Sequence, residues 1–278
     1  MKNHALTYKV PARRAWLAAL CGLWLGGCQT VSTTAPGAVG IERRQVMLVS
    51  EADVEESAVQ AYAGELKKAH DEGRLNVDTR AGARVQAIAQ RLIGQVAVFR
   101  PDAAQWKWEV NVQRNDELNA YCMPGGKIMV YSGLIEKLRL DDAELATVLG
   151  HEMAHALREH SREAVSRAYG QQIGLGVLGA LAGLDSNTLQ LAGMVSEVTF
   201  NLPRSRLQES EADRIGLELM ARAGYDPHAA ITLWRKMGAA AQGNTPGFLS
   251  THPASATREA DLQALLPRVL PLYQAAKH

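Results

Sequence analysis

Cysteine is scarce in this chain, which has only three among its 278 residues. Cys21 lies in an N-terminal segment typical of a secretion signal, and Cys28 follows where lipid is attached in bacterial lipoproteins. Loss of the first and modification of the second leave Cys122 as the single free thiol, so no internal disulfide is expected. The fold must then depend on a hydrophobic core and on any metal that the chain binds.

A charge excess, an internal repeat and a long apolar run are also missing. Residues 28–278 carry 26 basic and 29 acidic side chains, a net charge near −3, so no nucleic-acid-binding stripe is implied. The apolar runs at residues 15–25 and 173–184 are shorter than the roughly 20 residues of a transmembrane helix. With 47% apolar residues, the chain fits one substantial domain.

The N-terminus has the order of a lipoprotein signal. Four basic residues precede the first apolar run, which ends in Leu-Gly-Gly-Cys; this end resembles the bacterial lipobox, with Cys28 as the lipidated residue. Gln29 in place of aspartate favours the outer membrane, with the domain facing the periplasm. We predict a signal peptide at residues 1–27 and a lipidated cysteine with a flexible tether at 28–48. An ordinary signal peptide or a short anchor is the alternative.

The most informative pattern is His-Glu-Met-Ala-His at residues 151–155. On a helix, His151 and His155 lie on one face about one turn apart, so both can bind a single metal ion. Glu152 points elsewhere and can take a proton from a metal-bound water as a general base. The spacing predicts half of a hydrolytic zinc site.

The surrounding sequence predicts that this helix is buried. Asp141 as N-cap and Glu144 as its capping-box partner indicate a helix over residues 141–169. Gly150 and Ala154 have little side-chain bulk, so a second helix can approach and supply another ligand. An apolar stripe faces the core, formed by Leu145, Val148, Leu149 and Met153.

A catalytic zinc requires a third protein ligand, and Glu209 is the best candidate. It begins the sequence Glu-Ser-Glu-Ala-Asp on a predicted helix at residues 205–223. Asp213 shares its face and is placed to orient a histidine ligand through the other ring nitrogen, and Gly216 again leaves room for a neighbouring helix. Glu211 is the competing ligand, but it lies about 200° round the helix from Glu209.

These two motifs, about fifty residues apart, resemble the HtpX, Oma and CAAX-prenyl-endopeptidase family of zinc peptidases, most closely its short periplasmic lipoprotein members. The resemblance covers roughly residues 51–267 and includes the segment 119–131, where Cys122 and Met123 replace a more usual apolar pair. The resemblance implies one zinc ion and a zincin-like (gluzincin) fold. It also implies active-site roles for His252, in a His-Pro segment, and for Arg258.

Two of these segments also have physical readings. Residues 127–132 follow a Pro-Gly-Gly turn and alternate in the manner of a β-strand. As an edge strand, this segment would bind the main chain of a substrate through Gly126, Lys127, Ile128, Met129 and Val130. An ordinary buried hairpin, the alternative, would not bind substrate. His252 could stabilise the oxyanion that forms during peptide hydrolysis. It could instead occupy the fourth zinc position and hold the enzyme latent, or merely precede a turn proline.

The predicted order of elements gives an α+β domain at residues 49–278, helix-rich, with a small sheet beside the active-site helix. Helices are expected near 51–72 and 79–98, followed by strands near 106–112, 117–121 and 127–132. The glycine-interrupted segment 173–184 is expected to cap the cleft, and a membrane span is the alternative.

We therefore predict a zinc endopeptidase of the cell envelope. By family resemblance its substrates are misfolded or stalled envelope proteins, and its partners include outer-membrane assembly or other protease components. A zinc-stabilised, chaperone-like lipoprotein that rarely cleaves is the alternative, although a pure binding protein has no use for Glu152 beside the metal. The repeat-bearing assembly protease of the family is a poorer match, since no C-terminal helical repeats follow.

Overall fold

A computed structural model describes residues 29–176, 188–240, 247–253 and 256–277. The strands are β1 Gln29–Val31, β2 Gln45–Met47, β3 Glu109–Gln113, β4 Ala120–Met123 and β5 Lys127–Tyr131. The helices are α1 Glu51–Asp71, α2 Thr79–Ile93, α3 Ser132–Lys137, α4 Asp142–Leu157, α5 His160–Gly176, α6 Thr188–Phe200, α7 Arg206–Arg222, α8 Ala229–Ala240, α9 Gly247–Thr251 and α10 Ala256–Ala275. The predicted helix-rich α+β fold with a small sheet is confirmed.

Helix α4 runs through the centre of the molecule. Its N-terminus is closed by the predicted capping box, in which Asp141 accepts from the backbone of Glu144 and the Glu144 side chain accepts in return. Every residue from Glu144 to Leu157 is buried, although the helix contains two histidines and two glutamates. Buried polar groups require hydrogen-bond or metal partners, so their burial indicates an organised functional site.

The prediction of one helix over residues 141–169 is wrong. Helix α4 ends at Leu157 and α5 begins at His160. Between them Glu159 has a φ of 51°, a left-handed conformation that ends an α-helix. This break turns the chain back, so that His160 faces α4.

Helices α4 and α7 meet at two glycines. A Cβ on Gly150 would lie 2.9 Å from the main-chain oxygen of Gly216, and a Cβ on Gly216 would lie 2.8 Å from the main-chain nitrogen of His151. Neither position has space for a side chain. The two helices that carry the predicted metal ligands are therefore packed backbone against backbone.

The three-stranded sheet has the order β3-β5-β4. Strand β5 pairs with β3 in parallel and with β4 in antiparallel orientation, and Gly126 contributes its carbonyl to the main-chain nitrogen of Glu109. The prediction that Gly126, Lys127, Ile128, Met129 and Val130 form an edge strand for substrate is therefore wrong, because their strand is paired on both sides. The edge next to α4 belongs to β4.

The prediction of a flexible tether at residues 28–48 is also wrong for its described part. Val39, Ile41 and Met47 are in the core, with 2%, 6% and 3% of their surface exposed. Strands β1 and β2 form an antiparallel ribbon, and Gln45 donates a 2.7 Å hydrogen bond to the carbonyl of Arg158. The described part of this segment belongs to the domain because its apolar side chains are buried in the core.

The predicted signal peptide, Cys28 and residues 177–184 of the predicted cap lie outside the described residues. Among the helices that are described, none combines the length and apolar character needed to cross a membrane.

Candidate metal centre

Four buried side chains converge at the crossing of α4 and α7. His151 and His155 come from α4, Glu209 from the first turn of α7, and His252 from the residue after α9. One ligand atom from each lies within 4.8 Å of all the others, and none of the four residues is more than 4% exposed. Helical spacing and the glycine contact thus bring the three sequence-predicted ligands together, and His252 joins them.

The ring of His151 is oriented by Asp213. Its Nδ1 lies 3.0 Å from Asp213 Oδ1, and Arg258 donates to both oxygens of that carboxylate at 2.6 and 2.7 Å. Burial opposes the ionisation of Asp213, but Arg258 and His151 together lower its pKa. An ionised carboxylate only accepts hydrogen bonds, so Nδ1 donates to Asp213 and Nε2 faces the other ligands.

The ring of His155 is oriented by a relay that the sequence analysis did not find. His155 Nδ1 lies 2.8 Å from His160 Nδ1, and His160 Nε2 lies 3.0 Å from Glu211 Oε2. Because Glu211 can only accept, His160 donates through Nε2 and must accept at Nδ1 from His155. The lone pair of His155 Nε2 is thereby directed at the centre.

Charge and burial fix the protonation states in this relay. Burial lowers the pKa of His160 to about 4, despite its bond to Glu211, so the ring is neutral at pH 7. Glu211 is also held by Arg43 and Arg158, at 2.7 and 3.2 Å, and these partners lower its pKa against the effect of burial. Glu211, the competing ligand in the sequence analysis, therefore faces His160 and not the centre.

The four converging groups fit a single metal ion. His151 Nε2 lies 3.1 Å from His155 Nε2 and 3.2 Å from His252 Nδ1, so three ring nitrogens face one another in a space that a cation would fill. Burial disfavours a positive charge at His151, yet Asp213 and Glu209 raise its pKa to about 9, so a bound metal ion would take the place of a proton on Nε2. Three imidazole nitrogens and one carboxylate oxygen are typical ligands of a divalent transition metal.

Glu152 is placed for proton transfer. It is 3% exposed, its Oε1 has no hydrogen-bond partner, and that oxygen lies 3.4 Å from His252 Nε2. A buried carboxylate oxygen without a donor is rare in folded proteins. Glu152 Oε1 is therefore a proton acceptor, and it lies on the same side of the centre as His252.

His252 occupies the fourth donor position. Its Nδ1 lies 3.0 Å from Glu209 Oε1, and its ring stacks on Phe248 with centroids 4.5 Å apart. Arg258 adds an ion pair to Glu209 at 2.8 Å and lies over the ring of Trp234 at 3.8 Å. Of the readings from the sequence, this geometry favours the fourth ligand over a side chain that merely precedes a turn.

The structure thus brings seven predicted residues together and places five elsewhere. The seven are His151, Glu152, His155, Glu209, Asp213, His252 and Arg258. Gly126–Val130 lie in and beside the central strand, and Cys28 lies beyond the described chain. The sequence analysis did not predict His160 or the role of Glu211. Two features of the sequence could have indicated them: a histidine five residues after His155, and a second carboxylate close to Glu209 that had no assigned role.

The fold and the centre define a class: a zincin-like metallopeptidase domain. The sequence profile of peptidase family M48 matches residues 80–266, and the chain belongs to that family, which confirms the predicted resemblance.

Relatives include the mitochondrial metalloendopeptidase OMA1 of Schizosaccharomyces pombe, 41% identical over 58% of this chain and 47% of that one. Metalloprotease LoiP of Escherichia coli is 28% identical over 84% and 88%, and the β-barrel assembly-enhancing protease of the same organism is 29% identical over 65% and 39%. The chain spans half or less of the length of the mitochondrial relatives.

Proposed function

We propose that this chain is a zinc-dependent endopeptidase. The observation that carries the proposal is the pairing of a complete ligand set with Glu152, whose free carboxylate oxygen lies at the edge of that set. Zinc suits three imidazoles and a carboxylate in tetrahedral geometry. When bound, it would activate water and polarise a peptide carbonyl.

Other side chains of the site have distinct roles in catalysis. Glu152 accepts the proton of the attacking water and returns it to the leaving amine. Asp213 and the His160–Glu211 pair keep the rings of His151 and His155 in the required tautomers. Arg258, which contacts both Asp213 and Glu209, stabilises the negative charge that gathers in the site.

His252 provides a latent state in this proposal. Its ring nitrogen completes the ligand set, so it holds the position that water and substrate need. Withdrawal of His252 would open that position and expose Glu152. Strand β4 contacts α4 and is paired on one side only among the described strands, so its free edge is the part of the sheet that fits an extended substrate chain.

The test uses the full chain loaded with zinc, with cleavage of casein and zinc content measured together. We expect about one zinc per chain in the wild type and in Glu152→Gln, and cleavage that is lost in Glu152→Gln. His252→Ala should raise cleavage above wild type if the ring blocks the centre. Zinc binding without cleavage in the wild type and in His252→Ala would overturn the peptidase proposal, and absence of zinc from both would overturn the metal site.

A second candidate, a zinc-stabilised chaperone-like lipoprotein, is favoured by the same closed ligand set. Structural zinc sites have four protein ligands, whereas catalytic ones keep one position open, and His252 makes this site closed. In that case His252→Ala would lower thermal stability and release zinc without producing cleavage. Suppression of aggregation of an unfolded envelope protein by Glu152→Gln would support the binding role.

We also propose that the protein is anchored to the outer membrane through Cys28, faces the periplasm and acts on misfolded or stalled envelope proteins. One E. coli relative is named for β-barrel assembly, which supports an envelope role; association with such assembly components belongs to the same proposal. Incorporation of radiolabelled lipid by the wild type and not by Cys28→Ala is the expected result. Equal labelling would exclude this anchor.

A further inference from the structure

One buried arginine forms no ion pair with any carboxylate of the described residues. Arg204, two residues before α7, is 9% exposed, and its Nε and Nη1 atoms have no hydrogen-bond partner. Its single side-chain bond runs from Nη2 to Ser161 Oγ at 3.3 Å. By contrast, Arg158, which is fully buried, pairs with Glu211. Glu152 and Glu209 act on its charge without forming an ion pair with it, so the two buried donor groups stay unsatisfied, which is costly. An anionic ligand would satisfy both.

Arg204 lines a cavity of about 370 Å³ that also touches Glu209 and Arg258 of the metal centre. Arg214, on the same wall, is neutralised by Asp261 through two 2.7 Å bonds. Arg258 is balanced by its two carboxylates within the centre.

Arg206 also lines the cavity, and it has no ion pair within the described ranges. Arg206 is exposed. With Arg204 it contributes two positive charges that form no ion pair, whereas Asp261 and Glu209 on the wall pair with Arg214 and Arg258. The electrostatic potential of this cavity therefore favours an anion.

A second cavity, of about 230 Å³, lies against Arg204 on a wall that includes Arg167 and Gln208. None of its lining residues belongs to the metal ligand set. The first cavity is the better candidate for a functional site because it shares Glu209 with that set.

We propose that the cavity lined by Arg204 is a substrate subsite that binds a peptide carboxylate next to the bond being cleaved. This inference rests on the proposed peptidase function. The carboxylate can come from a Glu or Asp side chain or from the C-terminus of the substrate. In either case it supplies the counter-ion that Arg204 lacks, and it lies near the centre because Glu209 borders both.

The diagnostic variant is Arg204→Met. Methionine retains an unbranched side chain of similar length, and the bond from the main-chain nitrogen of residue 204 to the carbonyl of Thr251 is unaffected. Since the charge it removes is unpaired, thermal stability should be unchanged or higher. The matched control is Arg167→Gln, which removes one exposed positive charge from the wall of the second cavity.

The assay compares fluorescent peptides that differ only in one carboxylate: Glu against Gln at each position around the cleaved bond, and a free against an amidated C-terminus. Binding is measured on the zinc-loaded full chain in a Glu152→Gln background, and kcat/KM on the chain with Glu152 intact. We expect the carboxylate to improve Kd and kcat/KM about ten- to a hundredfold, with the preference lost in Arg204→Met and retained in Arg167→Gln.

The outcomes separate this inference from the proposed function. Cleavage without any preference for carboxylates, or a preference that Arg204→Met retains, overturns the subsite and leaves the peptidase standing. Carboxylate-dependent binding without cleavage, in the wild type and also in His252→Ala, supports the subsite and overturns the peptidase. Absence of peptide binding in the Glu152→Gln background, together with absence of cleavage when Glu152 is intact, overturns the subsite. The pair of peptides that shows the effect identifies a side chain or a C-terminus as the source.

Discussion

His160 offers a direct test of how the metal centre is oriented. It is not a metal ligand itself, and its ring connects the ligand His155 to Glu211. His160→Leu keeps the size of the side chain but removes the acceptor for the proton on His155 Nδ1. His160→Asn places an amide oxygen near the position of the lost nitrogen and can restore that acceptor.

The expected magnitude follows from the contacts. His155 is buried, at 2% exposure, so its Nδ1–H would have no partner in His160→Leu. An unsatisfied buried donor costs about 1–3 kcal/mol, which corresponds to about a five- to 150-fold change in an equilibrium constant. The ring can also avoid this cost by moving its proton to Nε2, which abolishes metal binding at that atom. Both routes lower metal affinity, in line with the roughly 10–100-fold loss usual for such partners.

The measurement is zinc affinity by chelator competition, with cobalt absorption spectra as a report on ligand geometry. His160→Leu should bind at least tenfold more weakly than the wild type and give an altered cobalt spectrum, and His160→Asn should recover most of the affinity. The melting temperature of the metal-free chains controls for unfolding. Wild-type affinity and spectrum in His160→Leu would show that the relay does not set the tautomer of His155.

Two further predictions concern stability. Gly216→Ala would put a methyl group 2.8 Å from the main-chain nitrogen of His151, and we expect it to lower the free energy of unfolding by about 1–3 kcal/mol in urea titrations; Gly193→Ala, with no atom within 4 Å, should not. The pKa of Glu163 is lowered to about 2, because Arg43 and two glutamines outweigh burial. Its contribution is complete above pH 4.5, its ordinary pKa, and is lost as pH falls towards 2. The melting temperature should therefore fall more steeply over this range in wild type than in Glu163→Gln.

The ligand set was predictable because its signals are local. The spacing of His151 and His155 and the capping box at Asp141 depend only on helix geometry, and both are found in the structure. The approach of α7 was readable from Gly150 and Gly216, since a helix contact without side chains needs small residues at the crossing. Each of these features involves only one or two helical turns, so it can be recognised in a short stretch of sequence.

The errors arose where distant contacts or unusual backbone decide the structure. Nothing about the residue type of Glu159 predicts its left-handed φ, so the end of α4 was missed. Composition at residues 30–40 is typical of a linker, yet Val39 donates its N–H to Glu218, 179 positions later. The position of β5 could have been inferred, because Ile128 and Met129 point to opposite faces and both are apolar, which is typical of a central strand.

The packing of the N-terminal segment sets an order for the assembly of the centre as the chain is synthesised. Arg43 binds Glu211, 168 positions later, and the third ligand, Glu209, lies beside that partner. Contacts that close such long loops form late in folding. Until α7 has been made, His151 and His155 have neither their third ligand nor the carboxylates that orient their rings. An incomplete chain therefore contains the His-Glu-Met-Ala-His sequence without a centre that can hold metal, and the peptidase chemistry proposed here would begin only after most of the polypeptide exists.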